Sequence, residues 1–469
     1  MAVTETESAL EASRRLDPAG WRLRLSGLLR SEHSLVHRLV GTIFIIRVAA
    51  AALAFVSQIF IARWMGTFEF GIYVYVWTWV LLIGQSLDLG LATASQRFVP
   101  EYRDRGLPAL LRGYIFGTSW LSVGIAIGCA GLFAAGVWLL RDWVNDYTLV
   151  PLYLACLIFP AYALANVQDG ISRSYDWMGL GIVPTYIIRQ VLLTVLLAAA
   201  YFGGLPVDAT TGIVIAGVSI WIAVLGQTLV LQRRLRRRIE PGPREYRVKT
   251  WFAAALPILL VEGFYVLLAH TDVLVLQMFR TPEEVAVYYA AAKTIALLSF
   301  VFFAVSATAT HRFSSFHVAG DHEGLAAFLA QTVRWTFWPS LAVGIALLAL
   351  GKPILNLFGP DFDQGYPLMF VLVVGLLARA SIGPVEKLLN MLGEQRICAV
   401  IYLGAFLLNL ALCFVLIPHL GAMGAAISTA TALTAETVVL FIVTRRRLGF
   451  HVFIFGRPDF KPRTATPAD

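Results

Sequence analysis

The chain has 469 residues, 58% of them hydrophobic and 14% charged, with a formal net charge of +8 and a mean hydropathy of +0.73. Counting glycine and omitting tyrosine raises the apolar share to roughly 63%, against ~45–50% in soluble domains. A water-soluble enzyme is excluded, because most of this chain must be solvated by lipid. Four cysteines, Cys129, Cys156, Cys398 and Cys413, lie in apolar stretches without paired spacing, which speaks against a disulfide framework or a thiolate metal site.

The chain opens with an arginine-bearing leader over 1–38. Its first fifteen or so residues read as disordered, and Trp21 to Arg30 mixes aromatic, leucine and arginine residues as an interfacial segment does. The first apolar stretch begins near Leu39 and has no A-x-A-like cleavage site, so it is a retained span rather than a signal peptide. A helix needs about 20 apolar residues to cross roughly 30 Å of hydrocarbon. That criterion predicts twelve spans, at about 39–62, 70–95, 114–139, 149–171, 180–203, 211–232, 251–278, 285–310, 330–350, 366–389, 397–417 and 422–444. Trp64, Trp77, Trp138, Trp143 and Trp251 fall at span edges and read as interfacial anchors rather than sugar-stacking platforms.

Basic residues orient the chain, because Lys and Arg accumulate on the cytoplasmic side. With the N-terminus inside, 28 of the 37 basic residues fall in inner segments, four in outer loops and five within spans. Both termini are therefore expected in the cytoplasm. The run Arg233 to Arg238 is a topology determinant in a juxtamembrane belt, not a nucleic-acid surface.

The chain also repeats itself. Glu69 to Tyr73 recurs as Glu284 to Tyr288, and Ala92 to Phe98 recurs as Ala307 to Phe313, both at a shift of 215. At a shift of 212, Pro206 pairs with Pro418, Gly212 with Gly424, and Arg233-Arg234 with Arg445-Arg446. The organisation is an N-lobe (39–232), a basic cytoplasmic linker (233–250), a C-lobe (251–444) and a tail (445–469). Six is even, so the lobes enter from the same side and are related by a pseudo-two-fold along the membrane normal. That arrangement suits a central cavity and alternating access. No outer loop is long enough for a folded catalytic domain, the longest running from about 351 to 365, and no Gly-x-x-x-x-Gly-Lys-Ser/Thr loop is present. The chain reads as a transporter, not an enzyme, with no cofactor and no metal.

A charge at mid-membrane costs about 2.5–3.5 kcal/mol on insertion scales and so requires a partner or a task. Arg47, Arg189, Lys293 and Arg379 are embedded bases, and Asp88, Glu262, Asp272 and Glu436 are embedded acids. The bases either pair with neighbouring helices or line the cavity and bind an anion such as phosphate. The acids either form salt bridges or serve ion coupling. Arg47 maps onto Glu262 at the 215 shift, placing opposite charges at equivalent depth. Asp272, near the end of its span, is equally well read as hydrated, and Glu386 is expected to reach water.

Several stretches together resemble a known group: Ala62 to Gly66 through Glu69 to Tyr73 and Leu87 to Leu91, then Thr271-Asp272 with Glu284 to Ala291, Phe358 to Phe362 with Tyr366-Pro367, and Asn409 with Ile417 to Ala426. In this order they resemble the polysaccharide transporters and lipid-linked oligosaccharide flippases of the multidrug/oligosaccharidyl-lipid/polysaccharide superfamily. The resemblance implies two six-helix lobes forming a V around a substrate cavity. It also implies passage of an undecaprenyl-diphosphate-linked sugar chain, for O-antigen, capsule or exopolysaccharide, across the bacterial inner membrane. Membrane lipids, a glycan polymerase and glycosyltransferases are the partners it suggests, and nucleic acid is not among them. The rival readings are a multidrug antiporter of the same superfamily, a major facilitator, of whose loop pattern only Arg103 to Gly106 is present, and a multi-span glycan polymerase.

Overall fold

A computed structural model describes residues 18–319, 321–392, 394–449 and 451–456. Side chains are described from residue 46 onward, apart from those at 307, 308, 310–312, 314, 315, 317–319, 322 and 395. The disordered reading of the first fifteen or so residues and the end of the tail lie outside these residues, whereas Trp21 to Arg30, read as interfacial, is helical. Two compact units are present, residues 1–50 and residues 51–469.

The described residues are helical, without strands. In order, the helices are α1 (Pro18–Ser86), α2 (Leu91–Asp104), α3 (Pro108–Leu139), α4 (Asp146–Cys156), α5 (Phe159–Ser174), α6 (Met178–Val183), α7 (Arg189–Phe202), α8 (Ala209–Arg236), α9 (Val248–Phe279), α10 (Pro282–Ala296), α11 (Ser299–Ala319), α12 (His322–Ala349), α13 (Gly351–Phe358), α14 (Tyr366–Ala380), α15 (Val385–Met391), α16 (Gln395–Leu420) and α17 (Ala422–Leu448). Among the described residues, ten helical segments are long and apolar enough to cross a membrane, and the bent pair α4–α5 supplies another. The first of the ten, Ile46–Asp104, is 59 residues long, about 90 Å at roughly 1.5 Å per residue. It cannot cross once. Gly66, at φ 78 and ψ 170, divides it, giving twelve crossings in two six-helix lobes. A Cβ at Gly66 would meet nothing within 4 Å, so it is the backbone conformation that demands glycine there.

Local chemistry explains the helix ends. Proline opens α3, α10 and α14, where its missing N–H costs nothing. The Asp208 carboxylate accepts from Thr211 N at 2.7 Å to cap α8. Arginines fill the last turns of α8 and α17, against the negative ends of those helices.

The repeat has a structural task. Glu69 accepts from Ala209 N at 2.8 Å, at the start of α8. Its counterpart Glu284 accepts from Ala422 N at 2.6 Å, at the start of α17. Each lobe thus uses the same glutamate to cap its sixth crossing.

At this Glu69 end the two lobes meet in one apolar cluster that includes Phe70, Tyr73, Leu276, Tyr289, Phe358 and Phe362. Phe70 stacks edge-on against Phe362 at 6.0 Å and Tyr289 at 6.1 Å. Thr67 Oγ1 donates to Asp361 Oδ2 at 3.1 Å. Gly71 faces Pro282 so closely that a Cβ would lie 1.8 Å from its carbonyl oxygen. The opposite end holds a smaller cluster around Trp251, whose Nε1 donates to Tyr102 Oη at 3.0 Å. There Arg112 ties down the linker, donating to Pro243 O at 2.9 Å and Glu240 O at 2.8 Å. Trp138 and Trp143 are exposed, as lipid anchors should be. Trp251 and Trp77 are buried instead, because helix breaks and lobe contacts, invisible to a hydropathy window, turn them inward.

Paired cysteines introduced at Thr67 and Asp361, in a background lacking the native four, should cross-link readily. Adding Gly71→Ala should reduce the yield, since the new methyl group cannot share space with the Pro282 carbonyl; an undiminished yield would contradict this packing.

Candidate functional site

Two cavities lie within the 51–469 unit. The first, of about 590 Å³, is lined from both lobes, by α1, the α1–α2 break, α5 and the region of α7 on one side and by α9 and α10 on the other. The second, of about 600 Å³, lies among α9, α11, α12, α14, α15 and α16. Gln85, Thr93 and Glu262 line both, so the two spaces adjoin along α9.

Aromatic rings and bases give the first cavity its character. Tyr73 and Trp77 stack on one another at 6.2 Å, and Tyr162, Tyr186 and Tyr289 complete the aromatic lining. Arg189 lies with its guanidinium 5.2 Å from the Trp77 ring. Its Nε donates to Thr185 O at 3.0 Å and its Nη2 to Gln190 Oε1 at 3.1 Å. A π-helical turn, Pro184–Ile188, immediately precedes it, an irregularity that rotates the register of the next helical turn and recurs at functional sites. Lys293 Nζ lies 5.0 Å from the Tyr289 ring. Neither Arg189 nor Lys293 has a carboxylate within 4 Å among the described residues. The bases therefore come one from each lobe, and both hold their charge toward the cavity over aromatic faces.

The acids in this cavity are committed. Asp88 is buried and accepts from Ala92 N at 2.9 Å, helping to start α2 after a break in which Leu89 and Gly90 have positive φ. Asp169 takes Arg173 in a two-pronged pair, with Nε to Oδ1 at 2.9 Å and a second contact from Nη2 to Oδ2. Glu262 accepts from Thr93 Oγ1 at 3.1 Å.

The second cavity holds a different arrangement. Arg379 Nη2 contacts Glu386 Oε2 at 2.7 Å and Glu436 Oε1 at 3.8 Å. Glu386 is held further by Lys387 Nζ at 2.9 Å and by the Tyr402 hydroxyl. Arg379 is thus a shared partner of two acids, unlike Arg189 and Lys293. Glu386, expected in water, has a side chain only 13% exposed, because the break before α15 folds it back toward α14.

Arg47 is exposed and belongs to the 1–50 unit, separate from the unit that holds both cavities. Asp272 is buried rather than hydrated, and accepts from the Tyr288 hydroxyl and from Thr429 Oγ1 at 3.2 Å. Sequence reasoning missed the Asp169–Arg173 pair, although its i, i+4 spacing was visible. It also missed the cavity-facing tyrosines, which carry no charge to betray them. No group of three or more His, Cys, Asp or Glu residues suited to a metal is present among the described residues.

Twelve crossings in two like lobes around a charged cavity point to a multi-pass membrane transporter rather than an enzyme. The fold is similar to an inward-facing multidrug resistance MATE family transporter of the MOP superfamily, with a TM-score of 0.71 and 15% identity over 86% of this chain and 98% of that one. It is also similar to the lipid II flippase MurJ in an inward closed conformation, at a TM-score of 0.66 and 14% identity over 86% and 87% of the two chains. A third likeness is to a MOP superfamily transporter from Pyrococcus furiosus, described as having a binding pocket of reverse polarity, at a TM-score of 0.61 and 15% identity over 87% and 94%. No curated protein matches the sequence. Residues 37–317 match the family model described as polysaccharide biosynthesis protein, and residues 188–457 match that of the lipid II flippase MurJ. The chain belongs to the polysaccharide biosynthesis protein family, among the lipid-linked flippases and exporters of the membrane.

Removing Arg379 takes from the largely buried Glu386 its ion-pair partner across the helix break, whereas removing Arg189 takes a partner from no acid. Arg379→Ala should therefore lower the thermal unfolding midpoint in detergent well beyond Arg189→Ala, with a cost on the order of 3–5 kcal/mol for breaking a buried pair. Equal midpoints would show that the Arg379 network carries no structural weight.

Proposed function

We propose that this protein translocates a polyprenyl-diphosphate-linked oligosaccharide from the inner to the outer leaflet of the bacterial cytoplasmic membrane by alternating access. The observation that carries this reading is the pair Arg189 and Lys293, contributed by opposite lobes to one aromatic-lined cavity, with no carboxylate within 4 Å of either among the described residues. A diphosphate is a compact dianion. Arginine meets its oxygens two at a time, lysine as a point charge, and a ligand spanning both residues joins the lobes. The surrounding Tyr and Trp rings offer flat apolar faces and hydroxyls to sugar rings, while the lipid chain remains in the bilayer. An organic cation would be repelled by the same two bases.

The charge asymmetry supports a cytoplasmic location for both termini, since 28 basic residues lie in segments on one side and four on the other. With that orientation the Glu69 end faces outward and is closed by the Phe70 cluster and the Thr67–Asp361 hydrogen bond. The cavity lining extends the other way, to Thr93, Asp169 and Arg173. This supports a state loaded from the cytoplasm. Glycosyltransferases that build the lipid-linked unit, and a polymerase that consumes it, are the expected functional neighbours.

Cells lacking the protein should accumulate the lipid-linked unit in the cytoplasmic leaflet, shown by its protection from a membrane-impermeant glycan-cleaving reagent. In such cells, Arg189→Ala or Lys293→Ala should restore about ten- to a hundredfold less outward labelling than wild type, each charge-assisted contact contributing about 1.5–3 kcal/mol. Export of unpolymerised single repeats by the deletion strain would instead mark a polymerase.

A further inference from the structure

The second cavity contains a charge arrangement that anion binding does not explain. Span ten is broken between α14 and α15 over Ser381 to Pro384, with Gly383 at φ 64. Arg379 lies just before the break and Glu386 just after it, and their ion pair at 2.7 Å closes across it. On the far side of Arg379, Glu436 of α17 has a fully buried side chain, and neither of its carboxylate oxygens has a hydrogen-bond partner among the described residues. Its single close charge among the described residues is Arg379 Nη2 at 3.8 Å. The charged and titratable groups near it are Arg379 from α14, Glu386 from α15, and Tyr402 and Cys398 from α16, while Tyr265 of α9 lies against Arg379 and Lys387 of α15 against Glu386. α10 meets α17 elsewhere, with Tyr288 beside Thr429.

We infer that Glu436 is a proton-exchange site, and that Arg379 moves between Glu386 and Glu436 as span ten hinges at Ser381 to Pro384. A buried carboxylate that accepts no hydrogen bond, and whose arginine is held 3.8 Å away by a closer contact with Glu386, is costlier than the neutral acid, so the state seen here holds Glu436 as the acid. When the hinge swings Arg379 onto Glu436, the carboxyl O–H bond breaks, the proton leaves through the water-accessible cavity that Glu386 lines, and Glu436 becomes the carboxylate partner of the arginine. Glu386 tolerates the loss because Lys387 and Tyr402 still hold it. The guanidinium beside Glu436 selects a proton over a metal cation, which it would repel. The tail steadies the hinge: Ile454 N donates to Ser381 O at 3.1 Å, filling a carbonyl that the broken helix leaves open. This rests on the transport reading only for its use, as the energy input of the cycle; proton exchange and hinge motion are measurable without substrate.

The full-length protein in nanodiscs is titrated by infrared difference spectroscopy, with spin labels at the exposed Val374 and Met391 reporting the α14–α15 angle. A protonated-carboxyl band that disappears on alkalinisation, together with a change in the label distance, is expected in wild type. Glu436→Gln should remove the Glu436 component of the band and the change in label distance, while Asp88→Asn should leave that component and the distance change. Should Glu436→Gln fail to fold, Arg379→Lys, which retains the charge but loses the fork, should shift the midpoint of the band. A band of unchanged amplitude in Glu436→Gln, or an unmoved midpoint in Arg379→Lys, overturns the inference whatever the protein transports. If the site titrates as described but outward labelling of the lipid-linked sugar never requires the protein, the function proposed above fails and the proton site stands.

Discussion

Lipid offers no hydrogen bonds, and the architecture follows from that. Each backbone group at membrane depth must be satisfied within its helix or by something brought to it, so irregular backbone survives only where protein or a cavity meets it. Several spans in this chain are nevertheless broken, and the breaks coincide with the charges. The gap between α1 and α2 carries Asp88, whose carboxylate takes the Ala92 N–H. The π-turn at Pro184–Ile188 leads into Arg189, whose guanidinium returns to the Thr185 carbonyl. The gap between α14 and α15 separates Arg379 from Glu386 and receives the Ile454 N–H. A break is tolerable because a polar side chain or segment answers it, and the same break aims that side chain into the cavity.

Duplication supplies the scaffold, and divergence the chemistry. Glu69 and Glu284 occupy equivalent positions and perform the same capping task in their lobes. Four residues on, the equivalence fails. Tyr288 donates to Asp272, whereas the hydroxyl of Tyr73 has no hydrogen-bond partner among the described residues. The reason lies at the position matching Asp272, where Ser57 turns to Thr194 at 2.6 Å. The N-lobe thus lacks the acid, and its tyrosine lines the cavity instead. Two lobes with one backbone plan thus differ at matched positions, a tyrosine paired with a buried acid in one and a tyrosine turned to the cavity in the other.

Legibility in the sequence divides along the same physical line. Long apolar runs and the cost of embedded charge are one-dimensional signals, so the twelve crossings, the lobes and Arg189, Lys293 and Arg379 are all visible in the residue order alone. Partnerships across breaks are not. Arg379 and Glu386 are seven residues apart, about 10 Å along an unbroken helix, and only the kink at Gly383 and Pro384 brings them into contact. Trp77 reads as an anchor because a hydropathy window marks depth and not direction. Asp272 reads as hydrated because the hydroxyls that shield it come from residues 16 and 157 positions away.

The two bases of the first cavity also bear on how binding is linked to movement. Each is held in a low-dielectric space with no carboxylate in ion-pair contact among the described residues, an arrangement that costs free energy in the empty protein. An anion that touches only one base relieves half of that cost and leaves the lobes independent. One that touches both recovers the whole and does so only with Arg189 and Lys293 at a particular separation, hence with the lobes at a particular angle. Differential affinity of this kind is what allows a ligand to shift a conformational equilibrium. On the proposed function, the diphosphate is the part of the substrate that selects the lobe angle, and the sugars, resting on tyrosine and tryptophan faces, are free to vary.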